Sequence, residues 1–380
     1  MSYRKITGRL PETGQSIAVG IDDGLIVGIE PSQGAETAWL SPGFIDLQVN
    51  GYAGFDLNDP DFDTSTVAGL ADQMLGVGVT QFVPTLITES KETLKRSLQR
   101  LAAARQASPR LTAMIPYAHL EGPYISPNDG PRGAHAQGHV RAWDVEEILD
   151  LQRVSGDLLG MITLSPHDAA ALPFIEKMTA LGIHVAIGHS DASPELIHAA
   201  AKAGAVLSTH LGNGVSSMLP RHNNLIWAQL ADDRLTATFI ADGHHLPADT
   251  LKAMVRAKGI GRSLLVSDSV ALAGMPAGIY NTAVGGAVEL SEDGRLGLHG
   301  TPYLAGAALP LKDGVARVIR DAGISLFEAV AMATFNPARF TSHGGELRVG
   351  ARADVVRFEW APGDDSLKID NCWIAGESRG

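Results

Sequence analysis

Cysteine is almost missing from this chain. Cys372 is the sole one in 380 residues. That excludes an intrachain disulfide and any thiolate cluster around a metal. A metal, if one is held, must rest on His, Asp and Glu, and the chain carries 13 His. Basic residues are also scarce, with 30 Lys+Arg against 42 Asp+Glu and a formal net charge of −12. An acidic chain without a basic run is poorly suited to wrapping nucleic acid. Long apolar runs are absent as well; none approaches the roughly 18 residues of a membrane-spanning helix. The first fifteen residues, MSYRKITGRLPETGQ, lack the apolar core of a signal peptide. The expectation is a cytoplasmic protein with neither a membrane nor a nucleic-acid partner. What is plentiful is glycine, 42 of 380 residues, well above the average of about 7%.

The two ends read differently from the middle. In IAVGIDDGLIVGI (17–29), two apolar runs flank Asp23-Gly24, a favoured two-residue hairpin turn. ADVVRFEW (353–360) and SLKIDNCWIAG (366–376) are again strand-like. A small β-sandwich domain built from both termini, residues 1–41 plus 346–380, accounts for both ends.

Between them, eight apolar runs alternate with helical patterns. They are FIDLQV (44–49), VTQFVPTL (79–86), IPYAHL (115–120), MITLS (161–165), HVAIG (184–188), AVLST (205–209), TATFIA (236–241) and SLLVS (263–267). Near-continuous apolar runs suit parallel strands covered on both faces. Some of the helices are well signed. In 91–106, Leu94, Leu98 and Leu101 form one stripe. In 193–205, Ser193 fits the N-cap, Pro194 the first turn and Gly204 the C-terminal cap. A third helix is expected over 169–181. Eight units over residues 42–345 predict an α/β fold of the (β/α)₈ TIM-type barrel class. An open doubly wound sheet is the alternative. After the eighth run, 284–300 reads as an inserted hairpin around Asp293-Gly294, followed by helices near 304–322 and 325–335.

Active sites of such barrels lie at the C-terminal ends of the strands. There the third run delivers Glu121, the fifth His189, the sixth His210, the seventh Asp242 and His245, and the eighth Asp268. Glu121, His189 and His210 offer a carboxylate and two imidazoles, a set typical of catalytic zinc with an open position for water. Such a metal lowers the pKa of water towards about 7 and polarises a carbonyl. Asp268 then suits the role of general base and later general acid. An isolated histidine is more often structural; His184 and His198, at a strand start and within a helix, read that way. His119 shares a strand face with Glu121 and reads either as support for it or as barrel interior.

Together these residues resemble the amidohydrolase superfamily, and within it the N-acetylglucosamine-6-phosphate deacetylase family. The carriers span nearly the whole chain: SPGFIDLQVNGYAGFDLND (41–59), HLEGPYIS (119–126), GAH (133–135), IGHSDAS (187–193), STHLGNG (208–214), IADGHH (240–245), LVSDS (265–269) and GELRVGARADVV (345–356). The resemblance implies hydrolysis of an N-acetyl amide on a phosphorylated amino sugar. It implies Glu121, His189 and His210 as metal ligands and Asp268 as catalytic acid/base. It places His135, Asn213, Gly214 and His245 at the substrate. Arg221 falls where the family has an arginine that reaches a neighbouring subunit's phosphate, so a homodimer is expected. Many amidohydrolases carry His-x-His after the first strand to hold a second metal. Here Gln48-Val49-Asn50 stands there, and neither polar side chain is a strong zinc ligand. One divalent ion is expected, zinc first, although Fe²⁺, Co²⁺ or Mn²⁺ suit the same donors.

Departures cluster around the substrate. Gly212 and Gly214 flank Asn213 where an aromatic and an alanine are usual, the 217–223 stretch differs, the loop from Glu121 to His135 is longer, and His244 replaces a leucine. The metal ligands are intact. Another N-acyl amino sugar or a related amide therefore stays open as the substrate. A barrel that had lost catalysis and served only as an interaction protein would be expected to lack a ligand or the aspartate, and all four are present.

Overall fold

The computed structural model describes residues 3–378 except 35, 283–285, 302 and 342. Eight strands form one parallel sheet: Phe44–Val49 (β1), Val79–Ile87 (β2), Ala118–Glu121 (β3), Leu159–Leu164 (β4), His184–Ile187 (β5), Ala205–Ser208 (β6), Thr236–Phe239 (β7) and Ser263–Leu265 (β8). Each pairs with the next in chain order. The ring closes just beyond β8. There the Asp268 amide donates to Gln48 O (3.0 Å) and the Asn50 amide to Ser269 O (2.9 Å). The Ser267 amide donates to the Asp46 carboxylate (3.1 Å), tying β1 to the same point. The eight runs read from the sequence are these eight strands, because burial on both faces favours apolar residues along most of each strand.

Helices cover the outside of the ring. Lys91–Ala107 buries Leu94, Leu98 and Leu101, and Ser90 caps its N-terminus. Pro194–Ala203 begins after the Ser193 cap and ends at Gly204, whose φ is +120°. Ala171–Ala180 is the third expected helix. The third strand starts at Ala118 rather than 115; a short helix, Pro109–Met114, ends just before, and residues 115–117 connect the two. The seventh and eighth strands stop two residues early, and the chain then bends inwards towards Asp242 and Asp268.

A second, seven-stranded sheet combines both chain ends. Trp39–Pro42 pairs with Arg4–Arg9 on one side and Val355–Glu359 on the other. Asp23 and Gly24 both have positive φ, +46° and +75°, as a tight hairpin turn requires. Ile6, Val19, Ile26, Leu40, Val355 and Trp373 share a small core of their own. Phe358 turns the other way and meets Phe44 of β1, ring centroids 6.1 Å apart.

The insertion after β8 is a three-stranded sheet, Gly278–Thr282, Gly286–Leu290 and Leu296–Leu298. The expected turn at Asp293-Gly294 is there, with Gly294 at φ +85°. Positions 284 and 285 of the expected hairpin lie outside the described residues. The strand Gly278–Thr282 escaped the sequence reading because it is short, largely exposed and carries little apolar pattern. The following helices are Leu311–Val318, extended by a wider turn over Ile319–Gly323, and Leu326–Ala333. The first begins at 311 rather than 304, directly after Pro310, which cannot donate a helical hydrogen bond.

Phe358 is fully buried between sheet and barrel. Phe358→Ala should cost about 3–5 kcal/mol by cavity formation. A lower urea midpoint, with metal content per folded molecule unchanged, is the expected outcome.

Candidate metal centre and active site

At the mouth of the barrel, Glu121 ends β3 while His189 and His210 follow β5 and β6. All three are buried. Both histidines have positive φ, +48° and +29°, and so does Asp268 at +49°. For residues with a Cβ this left-handed region is strained, and such strain concentrates at functional sites. Here it turns the three side chains from the strand direction into one space.

Glu121 Oε1 lies 3.0 Å from His210 Nε2 and 3.3 Å from His189 Nε2, and the two Nε2 atoms are 3.1 Å apart. His189 Nδ1 is 2.9 Å from Pro131 O. A carbonyl only accepts, so the ring proton sits on Nδ1 and Nε2 presents its lone pair. Three donors at this spacing lie close to the edges of a tetrahedron, roughly 3.4 Å for metal–ligand bonds of about 2.0–2.1 Å. The donor chemistry therefore fits one divalent cation. Without it, the site must share a proton. Burial alone would raise the Glu121 pKa, but the adjoining His189 and His210 bring it well below its usual value. Burial would lower His210, but Glu121 holds it above its usual value.

Gln48 and Asn50 have a use of their own. Gln48 Nε2 donates to Glu121 Oε1 (3.0 Å), and Asn50 Nδ2 donates to Asp268 Oδ1 (2.8 Å). Each amide thus orients one carboxylate. Asp268 is pushed up to about 6, first by burial and then by the charge of Glu121. Its charge also couples to His210 and His245. His245 Nδ1 contacts Asp242 Oδ2 at 2.7 Å, while Asp242 Oδ1 accepts from the amides of His244 and His245 (2.8 Å each). Burial would raise Asp242, but the bonded His245 brings it below its usual value.

His135 joins the cluster directly. Its Nε2 is 3.3 Å from His189 Nε2 and 3.9 Å from Glu121 Oε2, and its Nδ1 is 2.8 Å from Thr88 Oγ1. Burial, then the neighbouring His189, lowers its pKa to about 3, so the ring is neutral. Asn213 folds back on the ligand loop, its amide and its Nδ2 both donating to His210 O (2.9 and 3.1 Å). Gly214 lies against His189, and a Cβ there would come within 2.8 Å of Nδ1. Arg221 is not brought into the cluster. It is exposed, and among the described residues it has no hydrogen bond or ion pair. His244 turns away, its Nε2 3.2 Å from Asp293 O in the inserted sheet.

Four contributors had not been assigned a role from the sequence. Asp242 was noted only as a strand-end residue, although its spacing of three from His245 is a local signal for a side chain that caps its own loop. Gln48 and Asn50 were read only as poor ligands. The Pro131 carbonyl is a backbone group, and no residue pattern announces it.

The fold and the centre define a barrel hydrolase of the metal-dependent kind. Residues 39–379 match the model of the Amidohydrolase family. The chain belongs to that family. It is 34% identical over 353 residues to the N-acetylglucosamine-6-phosphate deacetylase of Bos taurus, covering 89% of this chain and 82% of the relative. It is 32% identical over 366 residues to the N-acetylgalactosamine-6-phosphate deacetylase of Escherichia coli O157:H7, covering 94% and 93%. A solved N-acetyl-D-glucosamine-6-phosphate deacetylase variant from Mycobacterium smegmatis, in complex with N-acetyl-D-glucosamine-6-phosphate, superposes with a TM-score of 0.88 at 26% identity, covering 100% of this chain and 99% of that one.

Gly214 combines φ +58° with contact against His189. Gly214→Ala should displace the His189 ring and lower metal content well below one ion per chain, with the fold retained. Elemental analysis alongside circular dichroism checks this.

Proposed function

We propose that the chain hydrolyses the N-acetyl amide of N-acetylglucosamine 6-phosphate, giving glucosamine 6-phosphate and acetate. The observation that carries this is the convergence of Glu121, His189 and His210 beside an Asp268 oriented by Asn50. Glu121, His189 and His210 hold one divalent ion, zinc by preference. When bound, the ion supplies a Lewis acid that polarises the acetyl carbonyl and makes water acidic enough to attack it. Asp268 takes the proton of the attacking water. With Oδ1 held by Asn50, the free Oδ2 is the oxygen that accepts it. The same carboxyl then gives the proton to the amine nitrogen as the C–N bond breaks, leaving acetate and the free amine. Asp242 fixes the His245 tautomer with the proton on Nδ1, so Nε2 serves the substrate. The neutral His135 is placed to bind the substrate beside the ligands, with Asn213 and Gly214 lining its far side. Arg221 reaches the phosphate bound by a second copy, making the active unit a cytoplasmic homodimer.

The galactosamine epimer is a second reading. The relative from Escherichia coli O157:H7 covers more of this chain than the glucosamine relatives from Bos taurus and Bacillus subtilis do. A panel of N-acetylhexosamines with and without 6-phosphate separates the readings. A clear preference for the glucosamine 6-phosphate is expected, and indifference to the phosphate would overturn both.

Asp268→Asn should lower kcat by about 10²–10⁴-fold while one metal per chain is retained. Near-normal turnover would remove Asp268 from the mechanism. A base must be ionised to act, so kcat/KM should fall as pH drops. Asp268 sits at about 6 without metal, and a bound cation favours its anion, so the acid limb should centre at or below that pH. Chelation should abolish activity, and zinc should restore it. Metal binding displaces the proton that Glu121 holds on His210, so affinity should weaken as pH falls, by about tenfold per pH unit for one proton displaced.

A further inference from the structure

Below the metal ligands lies a buried polar chain that the proposed mechanism does not use. His119, two residues before Glu121 on β3, is 1% exposed. Its Nε2 is 2.7 Å from Thr163 Oγ1 at the end of β4, and Thr163 Oγ1 is 2.7 Å from Thr209 Oγ1 after β6. Its Nδ1 is 3.3 Å from Thr85 Oγ1 of β2. All three threonines are buried.

The direction of the chain follows from its end. Thr85 donates its hydroxyl hydrogen to Val83 O (3.2 Å), so towards His119 it can only accept. His119 Nδ1 therefore carries the proton, and Nε2 accepts from Thr163. Thr163 in turn accepts from Thr209. One neutral imidazole thus joins hydroxyls from β2, β4 and beyond β6.

The Thr163–Thr209 link is unusual because β5 lies between those strands. It passes in front of Gly188. A Cβ on Gly188 would come within 2.7 Å of Thr163 Cγ2 and 2.9 Å of Thr209 Cβ. The missing side chain is what lets the hydroxyls meet. Each linked residue adjoins the ligand set. Thr163 pairs in register with Glu121, Gly188 precedes His189 and Thr209 precedes His210.

We infer that His119 is a positioning residue, which sets the spacing of Glu121, His189 and His210 through its hydrogen bonds to Thr85 and Thr163 and the Thr163–Thr209 bridge. The inference rests on the proposed metal site and is independent of the sugar. Groups that orient ligands from behind typically change metal affinity by about 10–100-fold when removed.

The test uses His119→Leu, which deletes both ring contacts, and Thr163→Val, which keeps shape and breaks the link. His119→Gln retains a donor and an acceptor. Each full-length protein is stripped of metal and titrated with Zn²⁺ against a competing chelator. Each is then loaded with Co²⁺, whose visible spectrum reports ligand geometry. His119→Leu and Thr163→Val should bind Zn²⁺ about 10–100-fold more weakly with an altered Co²⁺ spectrum, and His119→Gln should recover most of the affinity. Unchanged affinity and spectrum in a folded Thr163→Val protein would overturn the inference, even if His119→Leu failed to fold. A wild-type protein that bound no metal would instead overturn the proposed function.

Discussion

Two imidazole nitrogens lie 3.1 Å apart and share one buried carboxylate oxygen. His189 Nε2 presents a lone pair, because its Nδ1 proton goes to Pro131 O. A proton serves one pair at a time, whereas a divalent ion serves all three donors at once. Much of the mouth of the barrel can be understood as holding these groups together. Gln48 binds Glu121, Pro131 O fixes His189, Thr238 Oγ1 accepts from the His210 amide, and Asn213 closes the His210 turn.

That work is done at a backbone cost. His189, His210 and Asp268 all take left-handed φ where the strands end, each at about 1–3 kcal/mol. The surrounding barrel supplies the compensation. Its strands are buried on both faces, and its ring is closed by bonds that involve the same residues, the Asp268 amide donating to Gln48 O. Closure of the fold and placement of the proposed base are thus one event. A change that opened the ring between β1 and β8 would also move Asp268.

The barrel was legible because burial on both faces leaves near-continuous apolar runs, and the members of the Glu121, His189 and His210 cluster stood out because each ends such a run. Glu121, His189, His210 and Asp268 could be picked out with no knowledge of distance. What could not be read belongs to geometry across strands. The Pro131 carbonyl has no side-chain signature. Gln48 and Asn50 looked like the loss of a metal site, whereas in space they orient two carboxylates. A glycine such as Gly188 at a strand end suggests positive φ or close backbone approach, but its φ is not positive. It is small because a hydrogen bond crosses it. The strand Gly278–Thr282 was missed for the opposite reason, since an exposed strand has no apolar pattern to display.

Charge sets the remaining constraint. A net charge of −12 repels an anionic sugar phosphate at long range, so a phosphate must be met by local groups. Among the basic residues near the centre, Arg132 bonds Asp129 and the His135 carbonyl, and Arg317 the Asp242 carbonyl, each keeping a buried Nε without a partner among the described residues. Arg221 is different. It is exposed, on the loop after His210, with no partner in its own chain among the described residues. A guanidinium left uncommitted in this way gains little for its own subunit. It is suited to an anion held elsewhere, as the homodimer proposed above would provide.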